Sequence, residues 1–223
     1  MSLRSTPFFA DAPALPTTHV ADTVTTPPPE SLEIISHPHP VLRLPAQPIC
    51  RVDSDLRAVA DRMLDLMYEA QGVGLAANQV NIPLRMFVMN PSGVRGEGEE
   101  WVLINPELQL PKGSEASQEG CLSLPGIHGD VKRPKQIRLS AYDIDGQAIE
   151  KTLDGFVARV VQHENDHLDG VLFLDRMNEE NRFELDDRVE ELEIDFRSKQ
   201  RSGQIRADDE LVQAVQCWTD RYA

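Results

Sequence analysis

The segment His163-Glu164-Asn165-Asp166-His167 contains two histidines four residues apart. It lies within residues 154–169, where apolar side chains recur every three or four residues, and this spacing predicts a helix. Residues four apart share one face of a helix, so both imidazoles can reach one metal ion. Glu164 lies on the same arc, where its carboxylate can take a proton from a metal-bound water. The segment therefore predicts a helix that carries a catalytic metal site.

Two histidines leave such a site incomplete, because a catalytic metal site uses three protein ligands and keeps one position open for water. Cys121, within Glu119-Gly120-Cys121-Leu122-Ser123 and bracketed by turn-forming residues, can supply a thiolate as the third ligand. Downstream glutamates are the alternative, but they lie on an acidic stretch that we expect to face solvent: Glu179, Glu180 and Glu184. We therefore favour Cys121.

A third segment, Gly72-Val73-Gly74-Leu75-Ala76-Ala77-Asn78-Gln79, combines paired glycines with small residues. Glycine lets the backbone approach a ligand closely. A helix that ends at the glycines and continues into a tight turn explains the same residues equally well. A phosphate-binding loop is not indicated, because no Gly-Lys-Ser/Thr follows and the dinucleotide spacing lacks its third glycine.

Composition limits the class of protein. The chain has 223 residues, which at about 150 residues per domain indicates one domain with extra segments. No apolar run is long enough for a membrane span. The excess of 37 acidic over 22 basic residues argues against binding to nucleic acid or anionic lipid. Three scattered cysteines are too few for a disulfide scaffold and indicate a reducing compartment.

The remaining patterns predict an α+β fold, because helical and strand-like segments come in blocks. A helix is predicted to begin at Asp53 or Ser54, and another covers residues 178–199. Asp145-Gly146 lies between two alternating segments and predicts a hairpin. We expect a single compact domain in which antiparallel sheets pack around the central helix that carries the histidines.

Three of these segments resemble the signature motifs of peptide deformylases and occur in that family's order. They are GVGLAANQ at residues 72–79, EGCLS at residues 119–123 and QHENDHLDG at residues 162–170. The segment SHPHPVLRL at residues 36–44 and the Asp145-Gly146 hairpin are also similar to that family.

The resemblance covers residues 32–177, which we interpret as the catalytic domain. Residues 1–31 are rich in proline and threonine and predict a flexible arm. Residues 178–223 predict a C-terminal helical extension. Residues 175–223 contain 14 acidic and 8 basic side chains, which argues against docking on the ribosome through a basic helix.

The resemblance implies a hydrolase that removes the formyl group from the N-terminal formyl-methionine of nascent polypeptides and releases formate. It implies that Cys121, His163 and His167 hold one divalent metal ion, with Fe²⁺ expected and Zn²⁺ or Ni²⁺ as alternatives. A metal-bound water would attack the formyl carbon with Glu164 as general base. No cofactor beyond the metal is implied.

The resemblance also assigns roles around the metal. The side-chain amide of Gln79 and the backbone N–H of Leu122 would donate to the oxygen that gains negative charge. The substrate would bind as an extended strand that pairs with the backbone of Val73 and Gly74. Its methionine side chain would contact Phe156 and Val160 on the predicted helix. We expect Glu119 and Arg133 to brace the Cys121 loop, and His128 is a candidate substrate contact.

Two other functions remain open. The first is a zinc endopeptidase, although Phe173 stands where a metzincin requires its third histidine. The second is an inactive metal-binding module associated with the ribosome, which would have no use for a general base. We expect a monomer or weak dimer that meets nascent peptides near the ribosome exit without direct nucleic-acid or membrane binding. Because the N-terminus resembles neither a secretory signal nor a transit peptide, a bacterial cytoplasmic location is expected, with an organelle as the alternative.

Overall fold

The computed structural model describes residues 14–16 and 24–223. In this part of the chain, seven strands form two antiparallel sheets: β1 (Gly74–Ala76), β2 (Met86–Met89), β3 (Trp101–Lys112), β4 (Glu115–Cys121), β5 (Leu124–Arg133), β6 (Gln136–Tyr142) and β7 (Ala148–Asp154). The larger sheet has the order β1-β2-β3-β6-β7, and β4 pairs with β5 as a separate hairpin. β1 is therefore an edge strand.

The described residues also form six α-helices: α1 (Ser54–Glu69), α2 (Gly155–Leu168), α3 (Glu179–Phe183), α4 (Asp186–Arg201), α5 (Asp208–Ala214) and α6 (Gln216–Tyr222). Asp53 caps α1 by accepting hydrogen bonds from the backbone N–H groups of Asp55 and Leu56. None of the helices in the described residues is both long and apolar enough to cross a membrane.

The core consists of three apolar clusters. The first lies around α1 and includes Trp218 and Tyr222 from the end of the chain. The second lies between the larger sheet and α2. The third joins β5 to Val189 on α4. Helices and antiparallel strands thus share one compact domain, and the predicted α+β class is confirmed.

Helix α2 contacts β1, β2, β6 and β7, so the histidine motif lies against the sheet. The helix ends where the sequence predicts, because Gly170 follows it with φ of 72°. A Cβ atom at this position would lie 2.6 Å from the carbonyl oxygen of Arg43. Only glycine both adopts this positive φ without strain and lacks the Cβ atom that would clash with Arg43.

The prediction of one helix over residues 178–199 is wrong. The chain instead forms α3 and α4, with Glu184 and Leu185 between them. Leu185 donates its backbone N–H to the carbonyl of Arg182, three residues back rather than four, and its side chain packs against the third cluster. The helix is thus interrupted where Leu185 packs near β5. The spacing of apolar residues along the segment does not reveal this interruption.

The described part of the predicted arm contacts the domain. Leu15 donates its backbone N–H to Gly146 at 3.1 Å, and the carbonyl of Pro16 accepts from Val52 at 3.1 Å. Residues 1–13 and 17–23 lie outside the described residues, so the predicted flexibility of the arm stays a prediction there. The proposed domain boundaries also stay predictions.

Candidate functional site

The three predicted ligands come together, although the cysteine lies far from the histidines in the chain. Their ligand atoms all lie within 4.8 Å of one another. Cys121, the last residue of β4, places Sγ 3.2 Å from Nε2 of His167. The rings of His163 and His167 lie one turn apart on α2 with centroids separated by 5.0 Å. The hairpin and the helix therefore each supply part of one centre.

The donor set fits a divalent transition-metal ion, because such ions bind thiolate and imidazole groups. Burial opposes a positive charge on His163, yet its hydrogen bonds with Cys121 and Glu119 raise its pKa to about 10. Burial lowers the pKa of His167 well below its usual value, which keeps this imidazole neutral. The site thus favours a positive charge near His163, and a cation can replace the proton there.

Glu119 orients His163. Its Oε2 atom lies 2.9 Å from Nδ1 of His163, which leaves the other ring nitrogen available to a metal. Arg133 donates to both carboxylate oxygens of Glu119, at 2.7 and 2.9 Å. Burial opposes ionisation of Glu119, but His163 and Arg133 lower its pKa to about 2. Of the predicted bracing pair, Glu119 therefore contacts His163 directly, and Arg133 holds Glu119 in place.

Two further residues join this network and were not predicted from the sequence. Arg159 donates to Glu119 at 2.6 Å and to the carbonyl of Val131 at 3.0 Å. Asp166 accepts from Arg133 at 2.7 Å. Arg159 lies four residues before His163 on the same face of α2, so helical spacing is the pattern that could have identified it.

Glu164 is buried beside the backbone of Gly74. A Cβ atom on Gly74 would lie 2.4 Å from Oε1 of Glu164, so the paired-glycine motif makes room for this carboxylate. Oε2 of Glu164 has no hydrogen-bond partner among the described residues. Burial raises the pKa of Glu164 to about 7, against the opposing effect of His163 and Arg133. A carboxyl group with this pKa can take up or release a proton near neutral pH.

Gln79 lies against the cysteine. It belongs to the short 3₁₀ helix Ala77–Val80 that follows β1. Its Oε1 accepts from the backbone N–H of Ala76 at 2.9 Å. Its Nε2 lies 3.4 Å from Sγ of Cys121 and 3.2 Å from Oγ of Ser123. The donor end of this side chain therefore faces the centre.

A cavity of about 710 Å³ lies over these groups. All four residues of the predicted substrate-binding set line it, as do Leu122 and His128. Val160 is buried, whereas Phe156 is 55% exposed and borders solvent. The cavity therefore joins the Cys121 turn, the edge strand and the side of α2.

The alternative glutamate ligands lie apart from this cluster. Glu179, Glu180 and Glu184 are exposed, and within residues 14–16 and 24–223 the group of ligand atoms close enough together to hold a metal is that of Cys121, His163 and His167. Phe173, at the third-histidine position of metzincins, stacks against His163 with centroids 6.3 Å apart. The side chain that joins the histidine pair is therefore the cysteine and not a downstream glutamate.

Comparison with known proteins agrees with this geometry. The family model described as polypeptide deformylase matches residues 31–183. A peptide deformylase of Rhodopirellula baltica is 55% identical over 191 residues, which cover 86% of this chain and 95% of that protein. The chloroplastic peptide deformylase 1B of rice is 45% identical over 148 residues, which cover 66% of this chain and 55% of the rice protein.

Solved structures give the same result. A variant of Arabidopsis thaliana peptide deformylase 1B aligns with a TM-score of 0.74 and 38% identity, covering 77% of this chain and 93% of that chain. Plasmodium falciparum peptide deformylase aligns with a TM-score of 0.72 and 39% identity, covering 74% of this chain and 98% of that chain. The family model matches more than half of the chain, and the Rhodopirellula baltica protein is identical to it at more than half of the aligned positions. The chain therefore belongs to the peptide deformylase family.

Proposed function

We propose that this chain removes the formyl group from the N-terminal formyl-methionine of nascent polypeptides and releases formate, with Cys121, His163 and His167 holding one divalent metal ion. The observation that carries the proposal is the convergence of these three side chains beside buried Glu164. Fe²⁺ is the expected ion, and Zn²⁺ or Ni²⁺ is the alternative, because this donor set accepts several ions. When bound, such an ion polarises a carbonyl group and lowers the pKa of water.

Glu164 is the proposed general base. Its pKa of about 7, raised by burial, allows it to accept a proton from the attacking water near neutral pH. The same carboxyl group can then deliver that proton to the departing amine of methionine. The glycine at position 74 keeps the carboxyl group next to the edge strand where substrate would lie.

Gln79 and Leu122 are the proposed donors to the formyl oxygen. Nε2 of Gln79 faces Cys121 at 3.4 Å, and Leu122 directly follows that cysteine in the chain. Negative charge develops on the formyl oxygen as the carbon is attacked, and preorganised N–H donors stabilise that charge.

The substrate is proposed to add as a strand at Val73 and Gly74. β1 occupies the edge of the larger sheet, and Gly74 pairs with Met89 on its inner side. A peptide on the outer side would gain backbone hydrogen bonds without a sequence requirement, as suits an enzyme that processes many nascent chains. Phe156 and Val160 line the cavity and are proposed to contact the methionine side chain.

Family membership leaves both earlier alternatives, the endopeptidase and the inactive module, without support. We further propose that the protein acts near the ribosome exit as a monomer or weak dimer, without binding nucleic acid directly. A bacterial cytoplasm is the proposed location, with an organelle as the alternative. The acidic C-terminal residues favour a docking mode other than a basic helix.

The test is purification without oxygen, metal analysis and a formate-release assay on formyl-Met-Ala-Ser. We expect about one divalent ion per chain and the products formate and intact Met-Ala-Ser. Glu164→Gln should retain the metal and lose about 10²- to 10⁴-fold in turnover, the usual contribution of a general acid–base group. A wild-type protein that releases no formate, or that cleaves internal peptide bonds instead, would contradict the proposal.

A further inference from the structure

We propose that Ser123 is a positioning residue that holds the Gln79 carboxamide with one N–H directed to the formyl oxygen. This inference rests on the proposed function, because it assigns a support to the proposed donor. Ser123 has no exposed surface, and its Oγ lies 3.2 Å from Nε2 of Gln79. A buried hydroxyl at this distance accepts a hydrogen bond from the amide.

The surrounding groups fix the orientation of the Gln79 amide. The backbone N–H of Ala76 can only donate, so the atom of Gln79 that lies 2.9 Å from it must be the oxygen. The amide nitrogen then faces Cys121 and Ser123. A flipped amide would place two donors against each other at Ala76, which a buried site does not tolerate.

The amide nitrogen carries two hydrogens and has two neighbours that can accept them. Sulfur is the weaker acceptor, and Sγ of Cys121 is also the more distant of the two, at 3.4 Å. A substrate oxygen can therefore replace Cys121 as the acceptor for one hydrogen while Ser123 retains the other. Without Oγ of Ser123, the amide would lose the contact that holds this second hydrogen.

The position of Ser123 in the hairpin makes it a fixed support. Cys121 pairs with Leu124, so Leu122 and Ser123 form the connection between β4 and β5. The carbonyl oxygen of Ser123 accepts from the backbone N–H of His37 at 2.8 Å. One short turn thus carries Cys121, the Leu122 N–H and the hydroxyl that holds Gln79.

The test compares Ser123→Ala with Ser123→Thr, which retains a hydroxyl. We expect Ser123→Ala to lower kcat about 2- to 10-fold, the range that one neutral hydrogen bond supports. KM, metal content and affinity for the product Met-Ala-Ser should stay at wild-type values, and Ser123→Thr should recover kcat. Ser140→Ala is the matched control, since Ser140 is equally buried in β6.

A double-mutant cycle with Gln79→Ala separates positioning from a structural role. Loss of Gln79 should cost about 10²- to 10³-fold in kcat, and adding Ser123→Ala should cause no further loss. Wild-type kcat in Ser123→Ala would overturn the proposal, as would an equal loss in both backgrounds or a loss of metal. An inactive wild-type protein would instead contradict the proposed function.

Discussion

The Cys121 hairpin, formed by β4 and β5, and the C-terminal segment, residues 208–223, differ in the contacts that hold them beside the rest of the domain. The hairpin is a two-stranded ribbon, a structure that is marginal in isolation. Its support includes the buried ion pairs of Arg133 with Glu119 and Asp166. The C-terminal segment instead inserts Trp218 and Tyr222 into the first cluster. The hairpin therefore combines the apolar contacts of the third cluster with buried ion pairs beside the centre, whereas apolar burial of aromatic side chains is the main support of the end of the chain.

This difference predicts that damage to the two regions has different consequences. The ion pairs of the hairpin lead directly to His163 through Glu119, at 2.9 Å. The aromatic residues of the C-terminal segment pack around α1 in the first cluster. A change in the hairpin should therefore alter metal binding, whereas a change in the C-terminal segment should alter stability alone.

The largest expected effect is that of Trp218→Ala. Trp218 is 2% exposed and stacks on Tyr222, so its truncation should lower the free energy of unfolding by about 3–5 kcal/mol. Urea unfolding measures this loss, and metal content at low temperature should stay at the wild-type value. Trp101→Ala is the control, because Trp101 is only partly buried and should cost less. If folded Trp218→Ala protein lost its metal, the C-terminal segment would affect metal binding as the hairpin does, and the two regions would no longer differ in this respect.

The next effect is that of Arg133→Met, which leaves Glu119 and Asp166 buried without this partner. Glu119 retains its ion pair with Arg159, and Asp166 retains its ion pair with Arg176. We therefore expect the free energy of unfolding to fall by about 3 kcal/mol, near the lower end of the range for broken buried ion pairs. Metal affinity should also fall about 10- to 100-fold, because Glu119 orients His163.

Arg138→Met supplies the control for Arg133→Met. Arg138 pairs with Glu150 on the adjacent strand, and both side chains are 25% exposed. Its removal should lower the free energy of unfolding by at most about 1 kcal/mol and leave metal affinity at the wild-type value. Equal effects of the two variants in a metal titration would show that the buried network does not support the centre.

Local patterns were sufficient to predict much of the site. The spacing of His163 and His167 depends only on helix geometry, and apolar periodicity predicted α1 and α2. The hairpin of Cys121 was not predicted, because its strands contain few apolar side chains and its two turn residues, Leu122 and Ser123, are not the Asn, Asp or Gly residues that mark a tight hairpin. Its partners Arg159 and Asp166 belong to α2, and a pairing between distant segments leaves no periodic pattern in either one.

The C-terminal segment illustrates the opposite case. Val215, Trp218 and Tyr222 recur at spacings of three and four, a pattern typical of a helix that buries one face. The sequence predicted only a helical extension for residues 178–223 and assigned no burial to these side chains. All three side chains are in fact buried in the first cluster, so the pattern was present, but its partner surface on α1 could not be known from the sequence.

The smallest effect concerns Asp53, which adds an ionic contact to the apolar anchoring of the C-terminal segment. Burial opposes its ionisation, but the backbone N–H of Leu56 and the side chains of Tyr222 and Arg221 lower its pKa below the usual value. A lowered pKa in the folded state stabilises the fold above about pH 4, and this contribution is lost as the pH falls further.

Asp53→Asn should therefore lower the free energy of unfolding by about 1–2 kcal/mol at pH 7, since asparagine still caps α1 but loses the charge. In urea unfolding from pH 7 to pH 3, the difference from wild type should shrink as the pH drops below about 4. Asp55→Asn is the matched control, because Asp55 also contacts Arg221 but is 58% exposed. A difference independent of pH would mean that the charge of Asp53 contributes nothing to holding the end of the chain.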